Sequence, residues 1–220
     1  MKFYFEPLNT PIILSDEYSS VLVIENQALF YNVCNSLYEQ SNKCSGILIL
    51  SDNEKVLDFA KSAEVILQFV PFESNKKSLI TKLYKRISED ANAIFYDETS
   101  VVISELSRYI YKLIDEYNSD LEIDDVDVQG LLKLFNVKFS SDNSNLAEKL
   151  FSYCKNVVNL EGNKLFIFVG LRSYMTDDEF FSFTKTLIDH KIASLFVENV
   201  DRRVSCNEVK TVIDADLCVI

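Results

Sequence analysis

Acidic side chains crowd one short stretch in the middle of this chain. Carboxylate oxygens are the ligands that hard divalent cations prefer, so such a run can form a metal site. An acidic run is also typical of a solvated helix end, which the residues taken alone favour. An EF-hand is excluded, because a loop beginning at Asp120 would need glycine in place of Asp125 and glutamate in place of Leu131. The run consists of Asp115, Glu116, Asp120, Glu122, Asp124, Asp125 and Asp127.

Basic side chains are concentrated in a neighbouring stretch, residues 75–87, which contains no acid. Such a run is typical of an exposed helix face, and it also suits contact with nucleic-acid phosphates. The net charge of -12 argues against a nucleic-acid binder that relies on overall charge, so local clustering would have to provide the contacts. The run holds Lys76, Lys77, Lys82, Lys85 and Arg86, and weaker candidates on predicted head helices are Lys55, Lys61, Lys149 and Lys155.

The usual chemistry of a nucleotide-binding sheet is missing. Residues 21–24 are predicted as a strand and 27–39 as a helix, but Glu25 and Asn26 stand where a phosphate loop would be. A Walker loop needs glycines for close backbone approach and a Lys-Ser/Thr pair for phosphate and magnesium, so nucleotide hydrolysis is not expected. Asp52 and Glu198 end predicted buried strands and are interpreted as remnants or structural caps.

The sequence also lacks the residues that nucleophilic catalysis needs. His190 is the only histidine, and it follows a predicted helix whose C-terminal end would favour its charge. Without a second histidine or a cysteine partner, no base is available to activate a nucleophile. The rings of Phe180, Phe181 and Phe183 are predicted to be mostly core.

The C-terminal third contains the elements of a parallel α/β sheet. The apolar runs 164–169 and 193–197 suit strands buried on both faces. Between them, Thr176 and Glu179 are spaced as a capping box at the start of a helix. Nearer the N-terminus, 47–50 is predicted as a further buried strand, followed by a cap at Ser51 and a short helix through Ala60, and 64–70 is predicted as another strand. The predicted fold class is α/β with a mixed sheet.

After Pro71 the pattern changes from short strands to long helices. Apolar side chains recur at helical spacing over residues 79–87, 100–117 and 126–135. A polar Ser/Asn/Asp string at 140–145 marks the return to the first domain. We therefore predict a discontinuous head domain, 1–72 and 141–220, with an inserted helical leg domain, 73–140.

Composition limits the class of protein further. With 48% hydrophobic and 25% charged residues, the chain can bury a substantial core. No apolar run approaches the ~18 residues of a membrane span, and the N-terminus lacks the pattern of a signal peptide, so a cytoplasmic location without membrane contact is expected. The five scattered cysteines form no Cys-x-x-Cys pair and are predicted to be reduced and mostly buried.

Read together, these segments resemble a known family, the small Csn-type CRISPR-associated protein of type II-A systems. The resemblance runs almost from end to end. The segments that carry it are 21–26 followed by Phe30, 119–125 leading into 131–138, 164–169, 175–179 and 195–198. None of them is a catalytic signature, and their order and spacing point to the short form of the family.

The resemblance implies a fold and a function that periodicity does not show. It implies a degenerate P-loop, ABC-ATPase-like head carrying a helical leg, assembled as a homotetrameric ring that takes double-stranded DNA ends into a basic central hole. It implies bound calcium, with the acidic run as the source of ligands and the basic run as the DNA contact. No nuclease, ATPase or nucleotide binding is expected. The implied partners are the CRISPR spacer integrase and the RNA-guided effector nuclease, in spacer acquisition (adaptation).

Two alternatives from other classes remain open at this point. One is a metal-dependent nuclease or phosphoesterase in which the acidic run holds magnesium and the basic helix positions the substrate. The other is a protein-interaction module without a nucleic-acid role. Cleavage of linear DNA would favour the first, and failure to bind any DNA would favour the second.

Overall fold

The computed structural model describes residues 1–117, 120–140, 145–203 and 207–220. Three sequence features extend beyond them: Ser119 of the 119–125 segment, residues 141–144 of the polar string with the predicted domain boundary, and Cys206. The chain divides into two compact units, one of Met1–Glu73 with Asp142–Ile220 and one of Ser74–Ser141. Each unit is described by itself.

The first unit is mixed α/β and contains two sheets. Its strands are β1 (Lys2–Tyr4), β2 (Ile12–Ile13), β3 (Ser19–Ile24), β4 (Ile49–Asp52), β5 (Lys55–Val56), β6 (Ala63–Ile66), β7 (Leu165–Val169), β8 (Ser194–Glu198) and β9 (Glu208–Ile213). Its α-helices are α1 (Gln27–Ser41), α2 (Phe59–Ser62), α6 (Leu146–Glu161) and α7 (Asp177–Asp189), with a 3-10 turn at Leu171–Ser173.

A five-stranded parallel sheet, in the order β6-β7-β8-β3-β9, forms the centre of this unit. Strands β3, β7 and β8 are buried along their whole length. Alternate side chains of β7 serve opposite faces: Phe168 meets Phe183 of α7, whereas Ile167 joins the core that includes Leu37 of α1. Because both faces are covered, the strands are continuously apolar rather than alternating, as the sequence predicted.

The second sheet corrects the prediction of one mixed sheet. It is antiparallel, in the order β2-β1-β4-β5, and Phe3 and Leu50 pair across it and point into the same core. The predicted strand at 47–50 is therefore not a member of the parallel sheet, and Ile49 is 41% exposed. A short apolar run does not reveal its strand partner, which here lies more than forty positions away.

Two local predictions next to this sheet are also wrong. Ser51 does not cap a helix, because β4 and β5 form a hairpin whose turn residues Asn53 and Glu54 both have positive φ. The short helix begins later, at α2, and is capped by Asp58, whose carboxylate accepts from the Lys61 backbone N–H. The strand predicted at 64–70 ends at Ile66.

Helix α7 begins as the sequence predicted. The Thr176 hydroxyl accepts from the Glu179 backbone N–H at 3.3 Å, and the Glu179 carboxylate accepts from the Thr176 N–H at 2.8 Å. This reciprocal capping box satisfies two backbone donors that a helix start otherwise leaves unpaired. Phe180 and Phe183 are buried, and Phe181 is partly exposed.

The second unit is helical and holds α3 (Lys77–Ala93), α4 (Tyr96–Ile114) and α5 (Val128–Leu134). Helix α3 packs on both others. The Tyr84 hydroxyl donates to the Val137 carbonyl, and the Asn75 side chain exchanges two hydrogen bonds with the backbone of Phe139. These contacts fix the segment after α5 along α3, so the three helices form one packed body.

The four described cysteines carry no disulfide, and the prediction that they are mostly buried is wrong. Cys154 is buried and Cys34 half-buried, whereas Cys44 and Cys218 are exposed. Within the described parts of the chain, no helix is both long and apolar enough to span a membrane.

Candidate nucleic-acid and metal-binding surfaces

The basic run lies on one helix of the helical unit. Lys76 is the N-cap of α3 and is half-buried, and the other four cations are on α3 itself and exposed. Leu79 and Tyr84 are buried and mark the packed side of the helix, and Lys82 and Lys85 lie on the side away from them. The Lys85 amine lies 3.8 Å from Glu89 and the Arg86 guanidinium 3.6 Å from Asp90. Exposed i,i+4 pairs of this kind contribute roughly 0.3–0.5 kcal/mol, so a phosphate could displace them at little cost.

The weaker basic candidates belong to the α/β unit, and the structure does not assemble them into one cluster. Lys55 lies on strand β5 rather than on a helix, which corrects the prediction. Lys61, on α2, pairs with Asp58 at 3.2 Å. Lys149 and Lys155 are both on α6, but they are six positions apart and therefore lie on different sides of the helix.

The residues of the acidic run lie at the end of α4, at positions 120–125 and at the start of α5. Asp115 is the C-cap of α4, and all seven carboxylates of the run are exposed. Asp127 caps α5, where its Oδ1 accepts from the Gly130 N–H at 2.6 Å. Among the described residues no three acids, histidines or cysteines converge as a metal site. The donor chemistry, all oxygen, matches calcium, but the described backbone does not bring the ligands together.

The residues that follow β3, where a phosphate loop would lie in a nucleotide-binding sheet, make other interactions here. At the end of β3, Asn26 caps α1 by accepting from the Leu29 N–H at 3.0 Å and donates to the Ala215 carbonyl at 2.9 Å. The Glu25 N–H donates to the Ile213 carbonyl. The C-terminal segment after β9 is thus tied to the residues where a nucleotide phosphate would otherwise approach, and the exposed Glu25 carboxylate would repel that phosphate.

The two carboxylates predicted as remnants or caps have different surroundings. Asp52 ends a strand of the antiparallel sheet, not of the parallel one, and lies 3.5 Å from the Met1 amine. Glu198 ends β8, is 3% exposed and accepts from the Arg172 backbone N–H at 3.1 Å. Burial raises the pKa of Glu198 to about 7, against the opposing attraction of Arg172 and Arg202.

Around Glu198 the structure shows a buried ionic cluster that sequence reasoning missed. The Arg172 guanidinium donates to Asp177 at 3.0 Å and to the Arg203 carbonyl at 3.2 Å. It also lies 3.8 Å from the Glu208 carboxylate and over the ring of Phe180, 4.5 Å from its centroid. This cluster could not be predicted from a local sequence pattern, because its members come from four separate segments of the chain.

The raised pKa of Glu198 predicts that the stability of the fold depends on pH. Its pKa is raised on folding, so its contribution to stability is complete below about pH 4.5 and is lost as pH rises to about 7, an effect of about 3 kcal/mol. Glu198→Gln should remove that loss. Denaturant titrations should show the variant more stable than the parent at pH 8 and nearly equal to it at pH 4. The exposed Glu17→Gln serves as control and should follow the parent at both. A destabilised Glu198→Gln at pH 8 would show that attraction to Arg172 outweighs burial.

Structural contacts explain the positions of His190, Arg202 and Arg203. His190 is the C-cap of α7, its Nδ1 is 2.9 Å from the Thr186 carbonyl, and its ring contacts Phe151. Arg202 and Arg203 are exposed after β8, and the backbone carbonyl of Arg203 is held by Arg172.

The architecture is that of a mixed α/β protein whose chain is interrupted between β6 and β7 by a helical unit. Comparison with known proteins shows the family: the chain matches the description CRISPR-associated protein (Cas_Csn2) over residues 40–217 and belongs to that family. It is therefore a CRISPR-associated protein, as the sequence resemblance predicted.

Relatives and a solved structure agree with this assignment. The chain is 24% identical to CRISPR-associated protein Csn2 of Streptococcus agalactiae over 185 residues, covering 81% of this chain and 80% of the relative. It is 24% identical to CRISPR-associated protein Csn2 of Enterococcus faecalis over 220 residues, covering 97% and 95%. The crystal structure of Stu0660 of Streptococcus thermophilus matches with a TM-score of 0.61 at 12% identity, covering 96% of this chain and 74% of that one, which supports the fold.

Proposed function

We propose that this protein is a non-enzymatic, calcium-stabilised homotetrameric ring that binds double-stranded DNA ends and supports CRISPR spacer acquisition. The observation that carries the proposal is the exposed cationic face of α3 in a protein of net charge -12. A binder that reads no sequence needs only phosphate contacts, and four copies of one modest basic face can supply them. Acidic charge elsewhere would disfavour DNA on the rest of the surface.

An uncovered apolar stripe on α4 supports self-association. No residue of α4 is buried in the single chain. Val102, Tyr109 and Leu113 recur at helical spacing and are 56%, 57% and 45% exposed. Exposed apolar side chains at helical spacing mark interaction sites, and the occupant proposed here is a second copy of this chain.

The head is proposed to be a degenerate relative of P-loop ATPases that has lost nucleotide binding. A parallel sheet with helices on both faces binds ligands at the carboxyl ends of its strands. Here that position at β3 holds Glu25 and the bonded Asn26 in place of glycines and lysine. We expect neither ATP nor magnesium-ATP to raise the unfolding temperature, and neither DNA cleavage nor ATP hydrolysis.

The decisive experiment is an electrophoretic shift comparing linear duplex DNA with the same DNA as a closed circle, in calcium and in chelator, with oligomer mass from light scattering. Binding to the linear form by a tetramer, favoured by calcium, is the expected result. Equal binding to both forms would replace threading with surface binding. A monomer that binds neither would favour the interaction-module function, and cleavage with magnesium or manganese would favour the nuclease.

The acidic run makes a separate prediction about calcium. Calcium at 100 times its Kd should stabilise the folded protein by about 2.7 kcal/mol. Combining Asp120→Asn, Glu122→Gln and Asp124→Asn should abolish most of that gain, measured as the calcium-dependent shift in unfolding temperature. The matched control replaces Asp97, Glu98 and Glu105, three exposed acids of α4, in the same way. An unchanged calcium shift in the first variant would show that the ligands lie elsewhere.

A further inference from the structure

A small groove lies between helices α6 and α7 of the α/β unit. It has a volume of about 220 Å³ and is lined by Ala147, Glu148, Phe151, Glu179, Ser182 and Phe183, together with residues at its ends. We call it the α6/α7 groove. Small-molecule sites usually measure about 300–1,000 Å³, so this volume suits one side chain rather than a metabolite.

The floor of the groove is aromatic and firmly supported. Phe183 is buried and meets the ring of Phe168 in the parallel sheet at 5.5 Å between centroids. Phe151 is half-buried, and its ring is braced by His190 at 4.6 Å. An aromatic surface held by its neighbours offers a preformed surface for an apolar or cationic group.

The rim of the groove is acidic on both helices. Glu148 of α6 and Glu179 of α7 are exposed, and Asp177 and Asp178 adjoin Glu179. Glu179 Oε2 accepts two hydrogen bonds from Thr176, at 2.8 Å each, which lower the pKa of this carboxyl and keep it ionised. Its Oε1 makes no hydrogen bond to any described residue. The groove therefore presents an ionised acceptor beside an aromatic floor.

We propose that the α6/α7 groove binds an arginine side chain from a basic segment of a protein partner. Complementary charge selects the occupant: the acidic rim repels nucleic-acid phosphate and attracts a cation. A guanidinium fits better than an ammonium, because its plane can stack on Phe151 while its N–H groups donate to the two carboxylates. This interaction involves residues of the α/β unit only, and it depends neither on the proposed DNA contacts of α3 nor on the proposed ring.

The test uses N-acetyl-arginine methylamide as probe, with the lysine compound and the neutral isostere citrulline as comparisons. Methyl NMR of the 220-residue protein, labelled at alanine and isoleucine, follows Ala147 in the groove during each titration. Saturable shifts centred on Ala147 with arginine, weaker binding of lysine and no response to citrulline are expected. Shifts that are equal for citrulline, absent, or spread evenly over the protein would overturn the proposal.

Two variants test the rim against overall charge. Glu148→Gln with Glu179→Gln should weaken arginine binding about five- to tenfold, and glutamine at 179 can keep the capping bond to Thr176. Glu17→Gln with Glu39→Gln removes the same charge from other exposed positions and should leave affinity unchanged. Equal losses in both would mean a general charge effect. If light scattering shows that the Glu148→Gln/Glu179→Gln variant no longer forms the oligomer, the groove binds a second copy of this chain. That result would contradict the proposal of a different protein partner.

Discussion

Arg172→Met is expected to lower the free energy of unfolding by about 3–5 kcal/mol at pH 8. Arg172 is 5% exposed, and the side chain of Glu208, which faces it, is 1% exposed. Both Glu208 carboxylate oxygens are buried without a hydrogen bond, so the arginine is the neutralising charge found for them in the described structure. Removing it leaves a buried carboxylate unpaired, which costs far more than the lost contact. Urea titration monitored by circular dichroism measures the effect.

Two further variants test this explanation of the buried cluster. Adding Glu208→Gln to Arg172→Met should restore part of the stability, because a neutral amide needs no counter-charge. Arg203→Met removes an exposed arginine from the same neighbourhood and should change stability by no more than about 0.5 kcal/mol. If Arg203→Met is as damaging as Arg172→Met, or if Glu208→Gln gives no recovery, the charge of the cluster is not what stabilises the fold.

Reversing the charges of Lys82, Lys85 and Arg86 to glutamate is expected to weaken DNA binding at least about 100-fold at physiological salt. Each lost phosphate contact should also reduce the slope of log affinity against log salt by about 0.9. The loss should be the same for all DNA sequences, since phosphate contacts carry no base information. Fluorescence anisotropy with linear duplexes of two unrelated sequences, across a salt series, provides the measurement.

The matched control reverses Lys43, Lys185 and Lys191, which are exposed cations of the α/β unit. Both triple variants carry the same net charge, so a loss confined to the α3 variant locates the DNA contact on that helix. Equal losses would mean that overall charge, not the α3 face, governs binding. None of the six side chains is buried. The α3 variant also turns the Lys85–Glu89 and Arg86–Asp90 ion pairs into like-charge pairs, so its unfolding temperature should fall slightly, by the equivalent of about 0.3–0.5 kcal/mol per pair.

Local patterns in the sequence predicted the elements whose causes are local. The capping box of Thr176 and Glu179 spans four residues, so its hydrogen bonds can be inferred from residue types alone. The runs at 164–169 and 193–197 are continuously apolar because both faces of their strands are covered, and that requirement is written into the composition of each strand. The amphipathic helices of the middle region were identified by the same kind of reasoning.

Distant pairings could not be predicted in this way. The segment at 47–50 is apolar enough for either sheet, and its place was decided by β1, which pairs with it across more than forty residues. The hairpin at Asn53 and Glu54 was missed because neither residue is the glycine that such turns usually contain. Cys44 and Cys218 are exposed because of where their segments lie, which residue type does not determine.

The same distinction between local and distant causes applies to the candidate sites. The sequence by itself determined where charge is concentrated, namely the cationic face of α3 and the acidic run from Asp115 to Asp127, because neighbours in a helix or short segment stay neighbours in space. Only the tertiary structure decided which charges are buried together. Arg172, Glu198 and Glu208 come from separate elements, and the parallel sheet brings them within contact distance. The α6/α7 groove likewise exists only because two helices pack on one face of that sheet, with their acidic first turns side by side.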